Sequence, residues 1–170
     1  MSNIKTSSLM KISASTIMVA AGIVCTVVSI NHFGLVYSIK DSLTEPLAQE
    51  AFYPVYWLFG GLFIFFLGIG FISNNRHLVK TPLFHSLFAL SFWLSDFLIF
   101  SVYNAYMNFS ISFLWEVTAC FTMIACSILL MRGKGLNWKS HMVSFSGKAL
   151  LVGFLLGLCK FIFEYHFHLA

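Results

Sequence analysis

Charged residues are scarce in this sequence. Asp, Glu, Lys and Arg make up 9% of its 170 residues, and hydrophobic residues make up 59%. Soluble domains average about 25% charged and about 45–50% apolar residues. Because a soluble fold of this size cannot cover so large an apolar core, the composition predicts an integral membrane protein. The length fits a single transmembrane domain, residues 1–170.

Other absences narrow the class further. The net charge is +4, but the basic residues are scattered singly at the ends of apolar runs, which argues against a nucleic-acid partner. The four cysteines lie inside apolar runs without C-x-x-C spacing, so we expect small packing residues and neither a disulfide framework nor a zinc site. There is no internal repeat and no phosphate-binding glycine motif.

Five apolar runs are long enough to cross a bilayer, which takes about 20 residues. The predicted fold is therefore all-α, a polytopic membrane helical bundle. The expected transmembrane helices are residues 12–34, 53–73, 83–103, 112–131 and 143–163. Pro54 and Pro82 fit the first turns of the second and third helices, where a missing N–H costs least.

The distribution of Lys and Arg orients these helices. Eight of the ten basic residues fall on one side if the helices alternate in direction. By the positive-inside rule that side is cytoplasmic. We therefore expect a cytoplasmic N-terminus and an external C-terminus, in a bacterial inner membrane.

Two alternatives stay open. Lys160 and Glu164 interrupt the fifth run, stand four residues apart and could pair with each other; four spans plus a surface helix would then place the C-terminus inside. The first run, which reaches "VVS" at Ser29, loosely resembles a secretory signal. An uncleaved first span is favoured, because the run is long and no A-x-A follows.

Ionisable residues inside the spans are the candidate site, since each costs at least a few kcal/mol in the membrane. Asp96 lies about 20 Å along the third span from Leu83, which is roughly 10 Å below the outer boundary of the hydrocarbon core. Glu116 lies about 6 Å below the same boundary. His32 and the end of the fifth span belong to that side too. On the third helix, Tyr103 shares the face of Asp96.

The functional interpretation is a polar pocket that opens outward and takes a proton, a metal ion or a quinone-like head group. Its candidate residues are Asp96, Glu116, His32 and Tyr103. In the plainer interpretation, Asp96 is protonated and bonded to its neighbours, and Glu116 faces the interface. The sequence signal for a metal site is weak, because no span carries H-x-x-x-H. Three weak candidate ligands lie near the C-terminus. These are Glu164, His166 and His168, which fit an interfacial anchor better.

Small residues mark expected helix contacts, because they let backbones approach closely in a membrane. On the first two spans they are Ala21, Gly22, Cys25, Gly60, Gly61, Gly68 and Gly70. The fifth span carries Gly153-x-x-x-Gly157.

The stretch "YWLFGGLFIFFLGIGFI", followed by a basic loop and "HSLFALSFWLSDF", resembles the small four-helix DoxX-like bacterial membrane proteins and related domains of unknown function. The resemblance covers about residues 12–131, and this chain adds a fifth hydrophobic run. It implies a bundle of membrane helices and proximity to quinone or redox chemistry. It implies no catalytic residue.

The sequence therefore leaves three alternative classes of function open. The favoured one is a non-enzymatic accessory or assembly subunit of a membrane complex, because the loops are short and no catalytic motif is present. The second is a proton-linked carrier or ligand-binding bundle centred on Asp96 and Glu116. The third is a quinone- or metal-binding redox subunit. The expected partners are the lipid bilayer and another membrane subunit or a second copy, and the sequence names no cofactor.

Overall fold

The computed structural model describes the backbone of residues 2–39, 47–103 and 111–168, and the side chains of residues 9–39, 54–99 and 114–162. Five α-helices account for nearly all of this part of the chain. They are α1 (Ser2–Ser38), α2 (Leu47–Ile72), α3 (Arg76–Tyr103), α4 (Ile111–Gly133) and α5 (Trp138–His168). Each is long and apolar enough to span a membrane. The predicted all-α class with five transmembrane helices is confirmed.

The helices extend beyond the apolar runs. Because α2 begins at Leu47 and α3 at Arg76, Pro54 and Pro82 lie inside their helices. The prediction that they occupy the first turns is wrong. The physical reason is that polar residues before each apolar run also adopt helical structure, and hydropathy does not report this. A proline at either position has no N–H for the carbonyl group four residues earlier.

Two short connections have defined caps. Between α2 and α3, the Asn75 side chain accepts a hydrogen bond from the His77 N–H at 2.9 Å, which caps the start of α3. Between α4 and α5, Gly135 has a positive φ of 68°, and the Leu136 N–H donates to the Met131 carbonyl at 2.9 Å. This is the pattern of a Schellman C-cap, which glycine favours.

The chain divides into two compact units, Met1–Thr81 and Pro82–Ala170, with the boundary inside α3. We describe each unit by itself.

In the first unit, α1 and α2 pack closely through glycine. A Cβ atom on Gly22 would lie 2.6 Å from the Phe65 nitrogen and 2.7 Å from the Gly61 carbonyl oxygen, so no larger residue fits without separating the helices. The buried Ser15 hydroxyl donates to the carbonyl of Gly68. Two of the predicted packing positions differ from this pattern. Gly60 faces open space and Ala21 is exposed.

In the second unit, α3 and α5 meet through small residues on both helices. A Cβ atom on Gly153 would lie 2.6 Å from the Ser91 Cβ, and one on Gly157 would meet the Ser95 hydroxyl. The Ser91 hydroxyl also donates to the Leu150 carbonyl at 3.0 Å. The Gly153-x-x-x-Gly157 motif therefore forms the close contact predicted from the sequence.

Candidate functional site

An ion pair joins α3 and α5. The Lys160 ammonium nitrogen donates to Oδ1 of Asp96 at 2.6 Å, and the two side chains are 21% and 22% exposed. The pair lies next to the small-residue contact, since Asp96 follows Ser95 and Lys160 lies three residues after Gly157. Close approach of the two backbones places the lysine within reach of the carboxylate.

The sequence-based expectation pairs Lys160 with Glu164 instead. The side chain of Glu164 lies outside the described residues, so that pairing stays a prediction, and the contact of Lys160 with Asp96 does not exclude it. A signal for the Asp96–Lys160 pairing was present in the sequence. Lys160 lies about 25 Å along the fifth span from Val143, and Asp96 lies about 20 Å along the third span, so the two are at similar depth.

Glu116 is a third ionisable group near the Asp96–Lys160 ion pair, and we call these three residues the charged cluster. It lies near the start of α4 and is only 6% exposed. Its carboxyl group interacts electrostatically with both Asp96 and Lys160. None of the hydrogen bonds found among the described residues involves this carboxyl group. A buried carboxyl group without a hydrogen bond is costly, which marks Glu116 as the least satisfied group of the three.

The helix faces that carry the two acids are buried. On α3, His85, Ala89 and Phe92 lie on the face of Asp96 and are all buried. On α4, Cys120 and Ser127 lie on the face of Glu116 and are likewise buried. Asp96 and Glu116 therefore extend two buried stripes, rather than standing on faces that point into lipid.

The remaining candidates are not part of the described cluster. His32 is exposed on α1 in the first unit, so its place in a pocket with Asp96 stays a prediction. The side chains of Tyr103, Glu164, His166 and His168 lie outside the described residues. Within the described part of the chain, no three His, Cys, Asp or Glu side chains come together as metal ligands.

The cluster can change its charge by one unit without losing the ion pair. With Asp96 and Lys160 both charged, the three groups sum to zero when Glu116 carries a proton and to −1 when it does not. A membrane interior strongly resists unbalanced charge. The arrangement can therefore hold one exchangeable proton, or one small cation in its place.

Comparison of the chain with models of protein families, with curated proteins and with solved structures finds no match. The class of protein rests on the fold alone, which is an all-α chain with five helices able to span a membrane. The DoxX-like resemblance stays a prediction.

Proposed function

We propose that the chain is a proton-linked membrane carrier or ligand-binding bundle in which Glu116 holds the exchangeable proton beside the Asp96–Lys160 ion pair. The single observation that carries the proposal is Glu116 itself. Its carboxyl group is buried in a membrane-spanning helix and interacts with one acidic group, Asp96, and one basic group, Lys160. Intramembrane ionisable groups are rare and costly, and they commonly mark proton relays and ion or substrate paths.

The ion pair has a definite part in this function. Lys160 holds the Asp96 carboxylate in an ion pair, and we assign the exchangeable proton to Glu116. Lys160 also has a second carboxylate within electrostatic range. Deprotonation of Glu116 therefore draws Lys160 toward a second partner, which gives a physical link between a proton and the position of α5.

The predicted orientation completes the proposal. With a cytoplasmic N-terminus and an external C-terminus in a bacterial inner membrane, the cluster lies in the outer third of the bilayer. An external proton or ligand then reaches it over a short distance. A quinone-like head group, which the DoxX-like resemblance implies, is one ligand of suitable chemistry.

A hydrophobic carbodiimide tests whether Glu116 carries a proton in the membrane. The reagent adds to a protonated carboxyl group and leaves a stable adduct that peptide mass spectrometry locates. We expect labelling of Glu116 that falls as the pH rises, and none of Asp96, because its carboxylate is occupied by Lys160. Unlabelled Glu116 at every pH, or labelling of Asp96 instead, would overturn the assignment.

Proton movement is then measured in liposomes that contain a pH-sensitive dye. A pH jump should change the internal pH faster with the wild-type protein than with Glu116→Gln. Lys148→Gln is the matched control, because it removes a charge from exposed Lys148 on α5 without touching the cluster. Equal rates for the wild type and Glu116→Gln would refute proton linkage.

An accessory or assembly subunit is the second candidate function. It is favoured by the short connections, since only residues 73–75 join α2 to α3 and residues 134–137 join α4 to α5. These connections have no room for a catalytic domain outside the membrane. Purification in mild detergent followed by mass spectrometry tests this candidate. A stoichiometric partner protein supports it, and a homogeneous preparation of this chain alone contradicts it.

A further inference from the structure

Among the described residues, only two carboxyl or imidazole side chains are buried, Glu116 and His85, and each is 6% exposed. The proposed proton site uses Glu116 and leaves His85 without a role. His85 lies in the membrane-spanning part of α3, and its ring centroid is 6.4 Å from that of Phe88 on the same helix. Ionisable side chains are rare and costly within spans, so this buried imidazole is a candidate for a second proton site.

His85 lies on the face of α3 that carries Asp96. The two residues are eleven positions apart, which is about three helical turns or about 16 Å along the axis. Ala89 and Phe92 occupy the turns between them, and both are buried. One buried stripe of α3 therefore has the charged cluster at one end and an imidazole at the other.

The buried face of α4 has a matching arrangement. The carboxyl groups of Asp96, near the end of α3, and Glu116, near the start of α4, interact with each other, so the two helices run in opposite directions away from the cluster. Ser127 is eleven positions beyond Glu116 and is 0% exposed. Its hydroxyl donates to the Met123 carbonyl at 2.8 Å and can still accept a hydrogen bond. Counted along the axes, this hydroxyl lies at about the depth of His85.

The two buried ionisable groups lie near opposite boundaries of the bilayer in the predicted orientation. His85 is about 3 Å beyond Leu83, where the third span leaves the cytoplasmic boundary, and Glu116 is about 6 Å below the outer boundary. The hydrocarbon core between these boundaries is about 30 Å thick. Glu116 alone is therefore close to the outside only, and a proton that crosses the membrane needs a second group near the cytoplasm.

We propose that His85 is this second group and relays protons between Glu116 and the cytoplasm, an inference that rests on the proposed function. The O–H bond of the Glu116 carboxyl group breaks, water molecules between the helices carry the proton inward, and an N–H bond forms on the imidazole. His85 then releases the proton to water on the cytoplasmic side. Histidine is suited to this role because it binds and releases a proton near neutral pH.

Charge balance favours the pairing of these two sites. When Glu116 loses its proton, the charged cluster goes from zero to −1. When His85 gains that proton, the imidazole goes from zero to +1. The sum over the spans is unchanged by the transfer, whereas loss of the proton with no acceptor within the membrane leaves an unbalanced charge, which the membrane interior resists.

Proton flux in dye-loaded liposomes tests the relay separately from the function on which it rests. His85→Gln should slow the flux several-fold, because glutamine forms hydrogen bonds but does not exchange a proton in this pH range. His77→Gln is the matched control and should keep the wild-type rate, since His77 is exposed on the same helix. A wild-type rate for His85→Gln beside a slow Glu116→Gln would overturn the relay and leave the proposed function standing. Wild-type rates for both would refute the two together.

Two further variants separate a relay from a packing role. His85→Glu supplies another exchangeable proton and should restore part of the flux, whereas His85→Phe keeps a ring of similar size without such a proton and should not. Carbodiimide labelling of Glu116 should be the same in both variants as in the wild type, which shows that the charged cluster has formed. If His85→Phe carries protons as fast as His85→Glu, the site requires only bulk and the relay is wrong.

Discussion

Lys160 and Asp96 are 64 positions apart in the sequence, yet the lysine ammonium lies 2.6 Å from the aspartate carboxylate. Both groups are only partly buried, so the energy of the pair lies between two limits. Exposed ion pairs contribute about 0–1 kcal/mol, and breaking a buried pair costs about 3–5 kcal/mol.

Loss of Lys160 should therefore destabilise the second unit by about 1–3 kcal/mol, because the Asp96 charge is left without its partner. Thermal unfolding of Lys160→Gln in detergent measures this loss. Adding Asp96→Asn should restore part of the stability, since no unpaired charge remains. Lys148→Gln should change stability by less than about 0.5 kcal/mol. If Lys160→Gln and Lys148→Gln unfold alike, the ion pair does not hold α3 and α5 together.

Glu116 should act as a reserve partner for Lys160. In Asp96→Asn the lysine still has the Glu116 carboxylate within electrostatic range. In the double variant Asp96→Asn, Glu116→Gln it has neither carboxylate. The double variant should thus lose more unfolding free energy than the two single variants together, by about 0.5–3 kcal/mol. Melting curves of the four proteins give this difference, and simple additivity would show that Lys160 does not exchange partners.

Gly153→Ala should weaken the α3–α5 contact by about 1–3 kcal/mol through overpacking. The new methyl group would lie 2.9 Å from the Phe88 carbonyl oxygen, a backbone atom that cannot rotate away. Gly147→Ala is the matched control on the same helix, because nothing lies within 4 Å of its added Cβ. It should stabilise the helix by about 0.5–1 kcal/mol. Equal melting temperatures for the two variants would mean that α5 is not docked at Gly153.

Reporter fusions test the orientation. A reporter that works only in the cytoplasm should be active after Lys80 or Lys139 and inactive after Ala170. The reason is the excess of basic residues in the second and fourth connections. Activity after Ala170 would support the alternative of four spans plus a surface helix, and would place the cluster of Asp96, Lys160 and Glu116 differently in the bilayer.

The sequence predicts the helix number well and the helix ends less well. Apolar length is sufficient to find a span, because the bilayer fixes how many apolar residues are needed. It does not locate the start of a helix, since flanking polar residues such as Arg76 and His77 are helical as well. For this reason the sequence predicts first-turn positions for Pro54 and Pro82, whereas the structure places both inside their helices.

The partner of Lys160 was harder to predict than its depth. Counting residues from each helix end places Asp96 and Lys160 at similar depth. The rotation of α5 decides which neighbour the lysine faces, and that rotation follows from the contacts of Gly153 and Gly157 with α3. Such contacts depend on two distant segments together, whereas spacing within one helix indicates only local neighbours such as Glu164.

The Ser15–Gly68 hydrogen bond has a consequence for biosynthesis. It joins α1 to α2, and all residues of these two helices have been synthesised once the chain reaches Ile72, the end of α2. Chains fold from the N-terminus during synthesis, so α1 and α2 can associate while Asp96 is still within the ribosome and Lys160 has not been translated. Association of the first two helices is therefore independent of Asp96 and Lys160. A folding defect at Lys160 leaves α1 and α2 paired, so quality-control proteases encounter a chain that is folded only at its N-terminal end.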